Sequence, residues 1–207
     1  MKNLNSEIAA YLVDFVNKLK WIHKEILLKL TCGDDSKNWN RVLCSRILDF
    51  FLRHASMVRP LSETGKLKLA GEITQLEFSL SQWFNGLSLK LETDFEIQTS
   101  YRAFRSFKSF LFLDIGQLLE FHHNEHLPPM IVLHHLFVRS YPSISLPPWH
   151  FNMTELQYSD WLDAHPNEGI NLLEKCLDIY AEEVKRKGEK EYCPEYPILR
   201  GFIKSLR

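Results

Sequence analysis

The sequence predicts an all-α fold, either a stacked antiparallel helical bundle or an irregular helical rod. Apolar residues recur at alternating spacings of three and four along most of the 207-residue chain, and this pattern is typical of amphipathic helices. No stretch shows the sustained period-two alternation of half-buried strands, and no strand–glycine–helix unit appears. A hydrophobic fraction of 45% with only 8 glycines indicates an ordered globular chain.

Residues 1–84 form an N-terminal helical segment with three predicted helices. The apolar stripe of the first helix consists of Ile8, Leu12, Phe15, Leu19, Ile22, Ile26 and Leu30. The stripe of the second consists of Trp39, Val42, Leu43, Ile47, Phe50, Phe51, His54 and Val58. The short polar turn between them, 33–38, implies an antiparallel hairpin, and Pro60 stops the second helix.

Ser62 or Thr64 can cap the third helix, which ends near Gly86. Its stripe consists of Leu69, Ile73, Leu76, Leu80 and Trp83. We expect residues 85–99 to form a variable loop, after which 100–207 form a C-terminal helical segment.

The next helix spans 100–112 and has an aromatic arc. Ala103, Phe104, Phe107, Phe110 and Leu111 share one arc, and Arg102, Arg105, Lys108 and Ser109 share the other. Cations between phenylalanines are compatible with a nucleic-acid-binding or bilayer-surface helix. The clean separation into two arcs favours a core-facing stripe with a solvated face. Asp114 can cap a short continuation to His122.

Pro128 and Pro129 suit the start of a buried apolar helix that runs to Arg139. The proline-rich segment 140–151 cannot remain helical. Thr154 and Gln157 then predict a capping box for a helix that ends before Pro166. This helix carries three candidate structural anchors, namely Tyr158, Trp161 and Leu162. We expect Trp161 to be the buried one, so that Trp161→Ala costs about 3–5 kcal/mol.

Two further helices complete the chain. A long helix carries the stripe Ile170, Leu173, Leu177, Tyr180 and Val184. A basic last turn, 185–187, and the following Gly188 predict its end. Residues from Pro194 to Leu206 form the last helix.

Composition restricts the class of partner and the compartment. The formal net charge of −1 and the pI of about 6.8 give no strong field toward nucleic acid or an acidic bilayer. The four cysteines, Cys32, Cys44, Cys176 and Cys193, form no regular framework and indicate reduced thiols in a cytosolic protein. The longest uncharged apolar run, 130–138, is too short for a transmembrane segment, so we expect any membrane contact to be peripheral.

Three groups of residues allow a catalytic or metal-binding interpretation. His122 and His126, with His123 and Glu125, have spacing suited to a shared metal ion. The following Leu127-Pro128-Pro129 breaks the helix, which favours a polar loop. His134 and His135 interrupt an apolar helix and invite an acid/base role, but neighbouring histidines point to different faces, which favours packing.

Asp160, Asp163 and His165 resemble paired carboxylates beside a base. Their place before Pro166 favours a structural corner instead. The sequence contains no glycine-rich phosphate loop and no nucleophile motif. We therefore predict a non-enzymatic interaction module that is monomeric and has no cofactor, no metal and no nucleic-acid partner.

Five collinear blocks carry a family resemblance. These are LSETGKLKLAGEITQLE (61–77), SYRAFRSFKSFLFLD (100–114), PPMIVLHHLFVR (128–139), LQYSDWLDAHP (156–166) and RKGEKEYCPEYPILRGFIKSL (186–206). They resemble the C-terminal end of the subunit 5 family of the conserved oligomeric Golgi complex. The resemblance implies a rod of the multisubunit tethering complex type, with both helical segments continuous as one domain.

The resemblance also implies a function. It indicates a non-enzymatic tethering subunit that attaches peripherally to the cytosolic face of the Golgi membrane and serves intra-Golgi, mainly retrograde, vesicle transport. Subunit 7 is the implied direct partner among the sister subunits. Because family members are longer and begin with a coiled coil, we expect this chain to be a terminal piece. The alternatives are a stand-alone helical adaptor of another pathway and a metal-dependent helical enzyme built on His122 and His126.

The composition predicts a protein interface in the C-terminal segment. Tyr192, Tyr196, Ile198 and Phe202 crowd its short helix, and such side chains anchor interfaces when the rim is charged. The competing interpretation is that the last helix docks on its own domain. The sequence leaves both interpretations open.

Overall fold

The chain forms two compact units that do not follow one another in sequence. The computed structural model describes residues 4–30, 34–120 and 124–207, and these residues are helical or irregular, with no strand among them. The all-α prediction is therefore confirmed. The first unit comprises Met1–Asp49 and Glu63–Leu111, and the second comprises Phe50–Ser62 and Phe112–Arg207.

The first unit is built from four long helices, a π-helical turn and one short helix. They are α1 (Leu4–Ile22), a π-helical turn (His23–Leu27), α2 (Leu28–Leu30), α3 (Asp34–Ser56), α4 (Glu63–Gly86) and α5 (Gln98–Phe110). The end of α3, from Phe50 onward, belongs to the second unit. Helix α4 packs against both α1 and α5. The predicted stripe of α4 is buried throughout, as are the five apolar residues predicted for the inner arc of α5.

Helix α3 turns a different side inward from the one predicted. Its buried line contains Asn40, Cys44, Leu48 and Leu52, whereas Trp39 and Val42 are exposed. The hydropathy pattern did not predict this buried line, because its first residues, Asn40 and Cys44, are polar or small. The nitrogen of the Asn40 amide is nevertheless paired, since Nδ2 donates to the Ser36 carbonyl at 2.6 Å and lies 2.9 Å from Nδ1 of His23.

The connection between α4 and α5 is a packed turn rather than a loose loop. Leu89, Leu91 and Ile97 are buried within it. Arg41 donates to Asp94 at 2.8 Å and so ties the connection to α3. Helix α5 accordingly belongs to the first unit, although the sequence analysis placed it in the C-terminal segment.

The second unit contains the remaining helices. They are α6 (Ile115–Leu118), α7 (Pro129–Arg139), α8 (Pro147–His150), α9 (Glu155–Ala164), α10 (Gly169–Lys187) and α11 (Glu195–Ser205). Helix α7 packs against α6 and α11, α10 packs against α8 and α11, and α8 also contacts α9. Every side chain of α7 from Ile131 to Val138 is buried, which confirms the predicted apolar helix.

Local capping follows the sequence closely. The backbone N–H of Gln157 donates to Thr154 Oγ1 at 3.1 Å, and the N–H of Thr154 donates back to Gln157 Oε1 at 2.8 Å. Asp114 caps α6, with its N–H donating to Gln117 Oε1 at 3.0 Å. Gly188 ends α10 with a φ of 70°, which a residue without Cβ adopts most easily. The short helix α8 is a departure, because it lies in a segment predicted to be non-helical.

Of the three candidate anchors, two are buried and one is not. Tyr158 and Leu162 lie in the core, whereas Trp161 is only half-buried. The Trp161 ring stacks on His165 with centroids 4.6 Å apart. Trp161 is therefore less deeply buried than expected, because residues four apart define the inward line of α9 and Trp161 lies beside it.

No helix in the described ranges has the length and apolarity needed to span a bilayer.

Candidate interaction surface

The predicted C-terminal interface residues surround an aromatic cluster in the second unit. Tyr192 lies in the irregular segment between α10 and α11, where its ring stacks on Tyr196 with centroids 4.4 Å apart at 23°. Tyr180 on α10 completes the cluster, with its ring centroid 5.5 Å from that of Tyr196. The structure therefore brings two of the four predicted residues into direct contact. We call Tyr180, Tyr192 and Tyr196 the tyrosine cluster.

Polar contacts fix the tyrosine cluster. The Tyr180 hydroxyl accepts a hydrogen bond from the backbone N–H of Cys193 at 2.8 Å, which holds the segment between the helices against α10. Arg200 donates to the Tyr196 hydroxyl at 3.2 Å, and its guanidinium lies 5.6 Å from the ring centroid. The rings are thus held by hydrogen bonds at two of their three hydroxyl groups.

Arg200 also connects α11 to α10 through two carboxylates. Its guanidinium contacts Asp178 and lies 3.4 Å from Glu174 Oε1. Arg207 binds the other oxygen of Glu174 at 2.5 Å. Sequence analysis missed this ion-pair cluster. The four-residue spacing of Glu174 and Asp178, which places both acids on one side of α10, was the pattern that predicts it.

Helix α11 faces both inward and outward. Leu199 and Ile203 are buried and attach it to the unit. Tyr196, Ile198 and Phe202 are half-buried, and Tyr192 is 41% exposed. Helical geometry places Ile198 and Phe202 on the opposite flank of α11 from Tyr196. The four predicted residues therefore form two flanking groups rather than one patch.

A charged rim borders the tyrosine cluster. Glu189, Lys190 and Glu191 precede Tyr192 and are exposed. An exposed aromatic group held in place by fixed neighbours, with charges of both signs around it, has the composition of a protein-binding surface. The arrangement offers stacking and hydrogen bonding to a partner.

The histidines of α7 lie inside the core. His134 and His135 are both fully buried. His134 Nε2 lies 3.0 Å from the Tyr158 hydroxyl, and its Nδ1 lies 3.3 Å from Ser56 Oγ. Burial, reinforced by the charges of Arg53 and His54, lowers the pKa of His134 to about 3. His134 therefore remains a neutral packing residue at physiological pH.

The carboxylates of α9 belong to a structural contact. Arg53 Nη1 donates to Asp163 Oδ1 at 2.9 Å and to both the Oγ and the carbonyl oxygen of Ser159, also at 2.9 Å. His165 Nδ1 lies 2.9 Å from the Trp161 carbonyl. These contacts are those expected for a helix corner, and Arg53 is the member that the sequence analysis did not identify.

Part of the candidate metal group lies outside the described residues, namely His122 and His123. Within the described part, His126 Nε2 lies 3.0 Å from Glu125 Oε1, and both side chains are exposed or nearly so. The described ranges contain no group of three or more metal-ligating side chains.

Comparison with known proteins identifies relatives over nearly the whole chain. A protein of Arabidopsis thaliana named conserved oligomeric Golgi complex subunit 5 is 32% identical over 99% of this chain. Proteins of the same name from Mus musculus and Drosophila melanogaster are 28% and 25% identical over 96% and 93% of this chain.

These relatives are much longer than the chain. The chain spans 25%, 22% and 25% of their respective lengths and matches their C-terminal portion. No family model matches the sequence. No solved structure matches it either.

Proposed function

This chain is homologous to the C-terminal portion of conserved oligomeric Golgi complex subunit 5, and we propose that it is a non-enzymatic subunit of the Golgi vesicle-tethering complex. The observation that carries the proposal is the 32% identity over 99% of the chain. In this role the protein binds sister subunits, with subunit 7 as the direct partner, and supports intra-Golgi, mainly retrograde, vesicle transport. It associates peripherally with the cytosolic face of the Golgi membrane.

The mechanism we propose is scaffolding. Helical surfaces of the chain bind sister subunits and hold them in fixed positions, and no covalent bond is made or broken. Buried polar groups support this role, because His134, Tyr158 and Ser56 hold helices of the second unit together in a place that substrate cannot reach. Such a network gives a rigid core on which a binding surface keeps its shape.

The tyrosine cluster is the proposed contact with a sister subunit. Tyr192 offers an exposed ring, and its stack on Tyr196 reduces the side-chain entropy lost on binding. Docking of α11 through Leu199 and Ile203 leaves this ring on the outside. Internal docking and partner binding are therefore compatible in the same C-terminal segment, although the sequence analysis treated them as competitors.

Point substitutions test the contact better than truncation does. A chain cut after Gly188 loses Leu199 and Ile203 and with them part of the core, so its melting temperature should fall whether or not it binds a partner. Tyr192→Ala removes the exposed ring while leaving those residues in place. Tyr141→Ala is the matched control, because Tyr141 is an exposed tyrosine of the same unit, at 48%.

The experiment measures binding of the purified full chain to purified subunit 7 by calorimetry. We expect Tyr192→Ala to weaken binding by about tenfold or more, the effect of losing a central aromatic contact, and Tyr141→Ala to leave it unchanged. Equal affinities for parent and Tyr192→Ala would remove the tyrosine cluster from the interface. Absence of binding by the parent chain would contradict subunit 7 as the direct partner.

A further inference from the structure

The outward side of α1 presents an exposed line of apolar and basic side chains. We define the outer α1 face as Val13, Asn17, Lys20, Trp21, Lys24 and Leu28, all of which are exposed. Spacings of four, three, four and four place all but Trp21 along one line, and Trp21 lies beside it. The π-helical turn at His23–Leu27 has more residues per turn than an α-helix, which keeps Leu28 close to that line.

The far half of this face contains no fully buried residue. Helix α1 attaches to the unit through Leu12, Val16 and Leu19, and from Lys20 to Leu30 no residue is buried. Trp21 is 59% exposed and Leu28 is 53% exposed. Large apolar side chains grouped on one exposed face are typical of a binding surface.

The charge of the face is positive, and the acids described near it are already paired with other lysines. The acids of this stretch form pairs one turn apart, Asp14 with Lys18 at 2.9 Å and Glu25 with Lys29 at 2.6 Å. Lys20 and Lys24 have no acidic partner among the described residues. The helical rise separates their Cα atoms by about 6 Å along the axis, which matches two carboxylates one turn apart on another helix.

We propose that the outer α1 face is a docking site for an acidic amphipathic helix of a partner protein. The partner places apolar side chains against Val13, Trp21 and Leu28 and carboxylates against Lys20 and Lys24. Contacts of this kind follow the ridge-and-groove packing of helix pairs and the helix-in-groove mode of recognition.

The pattern of the face favours a helix over a bilayer surface. Asn17 and Lys24 lie on the same line as Val13 and Leu28, so a membrane would have to accept polar and apolar side chains at equal depth. A protein partner can instead place a carboxylate against each of the two lysines.

Two synthetic helical peptides serve as probes. Both carry the same leucine stripe, which is flanked by glutamates in the acidic peptide and by lysines in the basic peptide. Fluorescence anisotropy measures their binding to the full chain at low salt. The test variant is Lys20→Glu with Lys24→Glu, and the matched control is Lys68→Glu with Lys90→Glu, which reverses two exposed lysines elsewhere in the first unit.

The parent chain should bind the acidic peptide, and the test variant should lose about tenfold or more of that affinity and gain affinity for the basic peptide. Trp21→Ala should also weaken binding, while the control variant and the far-UV dichroism of all variants stay at the parent level. Binding of both peptides alike, or an equal loss in the control variant, would overturn the proposal. So would binding to phosphatidylserine vesicles or self-association through Trp21 in the absence of peptide binding.

Discussion

Tyr158 and His134 form a hydrogen-bonded pair inside the second unit, with 3.0 Å between the Tyr158 hydroxyl and His134 Nε2. Both side chains are fully buried. Burial also raises the pKa of Tyr158 far above its usual range, so the hydroxyl keeps its proton. A neutral histidine and a neutral phenol therefore satisfy each other where an unpaired polar atom is costly.

Tyr158→Phe removes one partner of this pair without creating a large cavity. We expect a loss of about 1–3 kcal/mol in the free energy of unfolding, because His134 Nε2 is left buried without its partner. Urea titration measures it, with Tyr141→Phe as the exposed control. An unfolding midpoint equal to that of the parent would show that the hydrogen bond contributes nothing.

His134 also makes stability depend on pH. Its pKa is lowered to about 3 in the folded chain, mainly by burial, whereas the unfolded value is about 6.5. Below pH 6.5 this histidine binds a proton in the unfolded chain but not in the folded chain. Its contribution to stability is therefore fully present above pH 6.5 and is lost as the pH falls toward 3. The slope from this group approaches about 1.4 kcal/mol per pH unit.

The measurement is the unfolding free energy of the parent and of His134→Asn between pH 4 and pH 7.5. We expect the variant to be less stable at pH 7 but to lose less stability on acidification than the parent does. Identical slopes would mean that His134 does not carry the pH dependence.

Trp161 has a smaller structural role than the sequence analysis assigned. Because it is half-buried and stacks on His165, we now expect Trp161→Ala to cost about 1–2 kcal/mol. Leu162→Ala, at a buried position, should cost about 2–5 kcal/mol. Thermal and urea unfolding of the two variants give the order. A larger loss for Trp161→Ala than for Leu162→Ala would restore Trp161 as the main anchor.

At the scale of single elements, the capping box of α9 is the clearest local determinant of a helix start. The hydroxyl and backbone of Thr154 exchange hydrogen bonds with Gln157. Thr154→Ala should lower stability by about 1 kcal/mol, whereas Thr154→Ser should keep most of it. Chemical unfolding distinguishes them, and equal losses for both variants would show that the hydroxyl is not what stabilises the helix start.

Helix boundaries were predictable because they depend on neighbours in sequence. Gly86 and Gly188 predicted the C-terminal ends of α4 and α10, and Pro129 and Thr154 predicted the starts of α7 and α9. Each of these residues acts through its own backbone or cap. The inward side of α3 was not predictable in the same way. Asn40 is buried with its Nδ2 held by Ser36 and His23, and a contact with a residue 17 positions away leaves no trace in local hydropathy.

At the candidate site, too, features that depend on sequence neighbours were predictable and contacts between distant residues were not. The composition of the C-terminal segment indicated Tyr192 and Tyr196, and the structure stacks them. Arg200 escaped notice because its partners, Glu174 and Asp178, lie on another helix. The outer α1 face also escaped notice, since only the packing of α1 shows which apolar residues remain outside.

At the scale of the whole molecule, the sequence alternates between two compact units. Residues 50–62 belong to the second unit, and the chain then returns to the first before completing the second. A continuous rod depends on how the two units are placed relative to one another, so the rod remains a prediction. Each unit presents one candidate binding surface, the outer α1 face in the first and the tyrosine cluster in the second.

The central claim is that the chain works as a tethering subunit, and its most direct test is affinity purification of the tagged full chain from cells with an intact Golgi. Quantitative mass spectrometry then compares the recovered proteins with those from an unrelated helical protein carrying the same tag. We predict enrichment of subunits of the conserved oligomeric Golgi complex, with subunit 7 among them, and a reduced yield of these subunits with Tyr192→Ala. Recovery of a folded chain without any subunit of that complex would contradict the account.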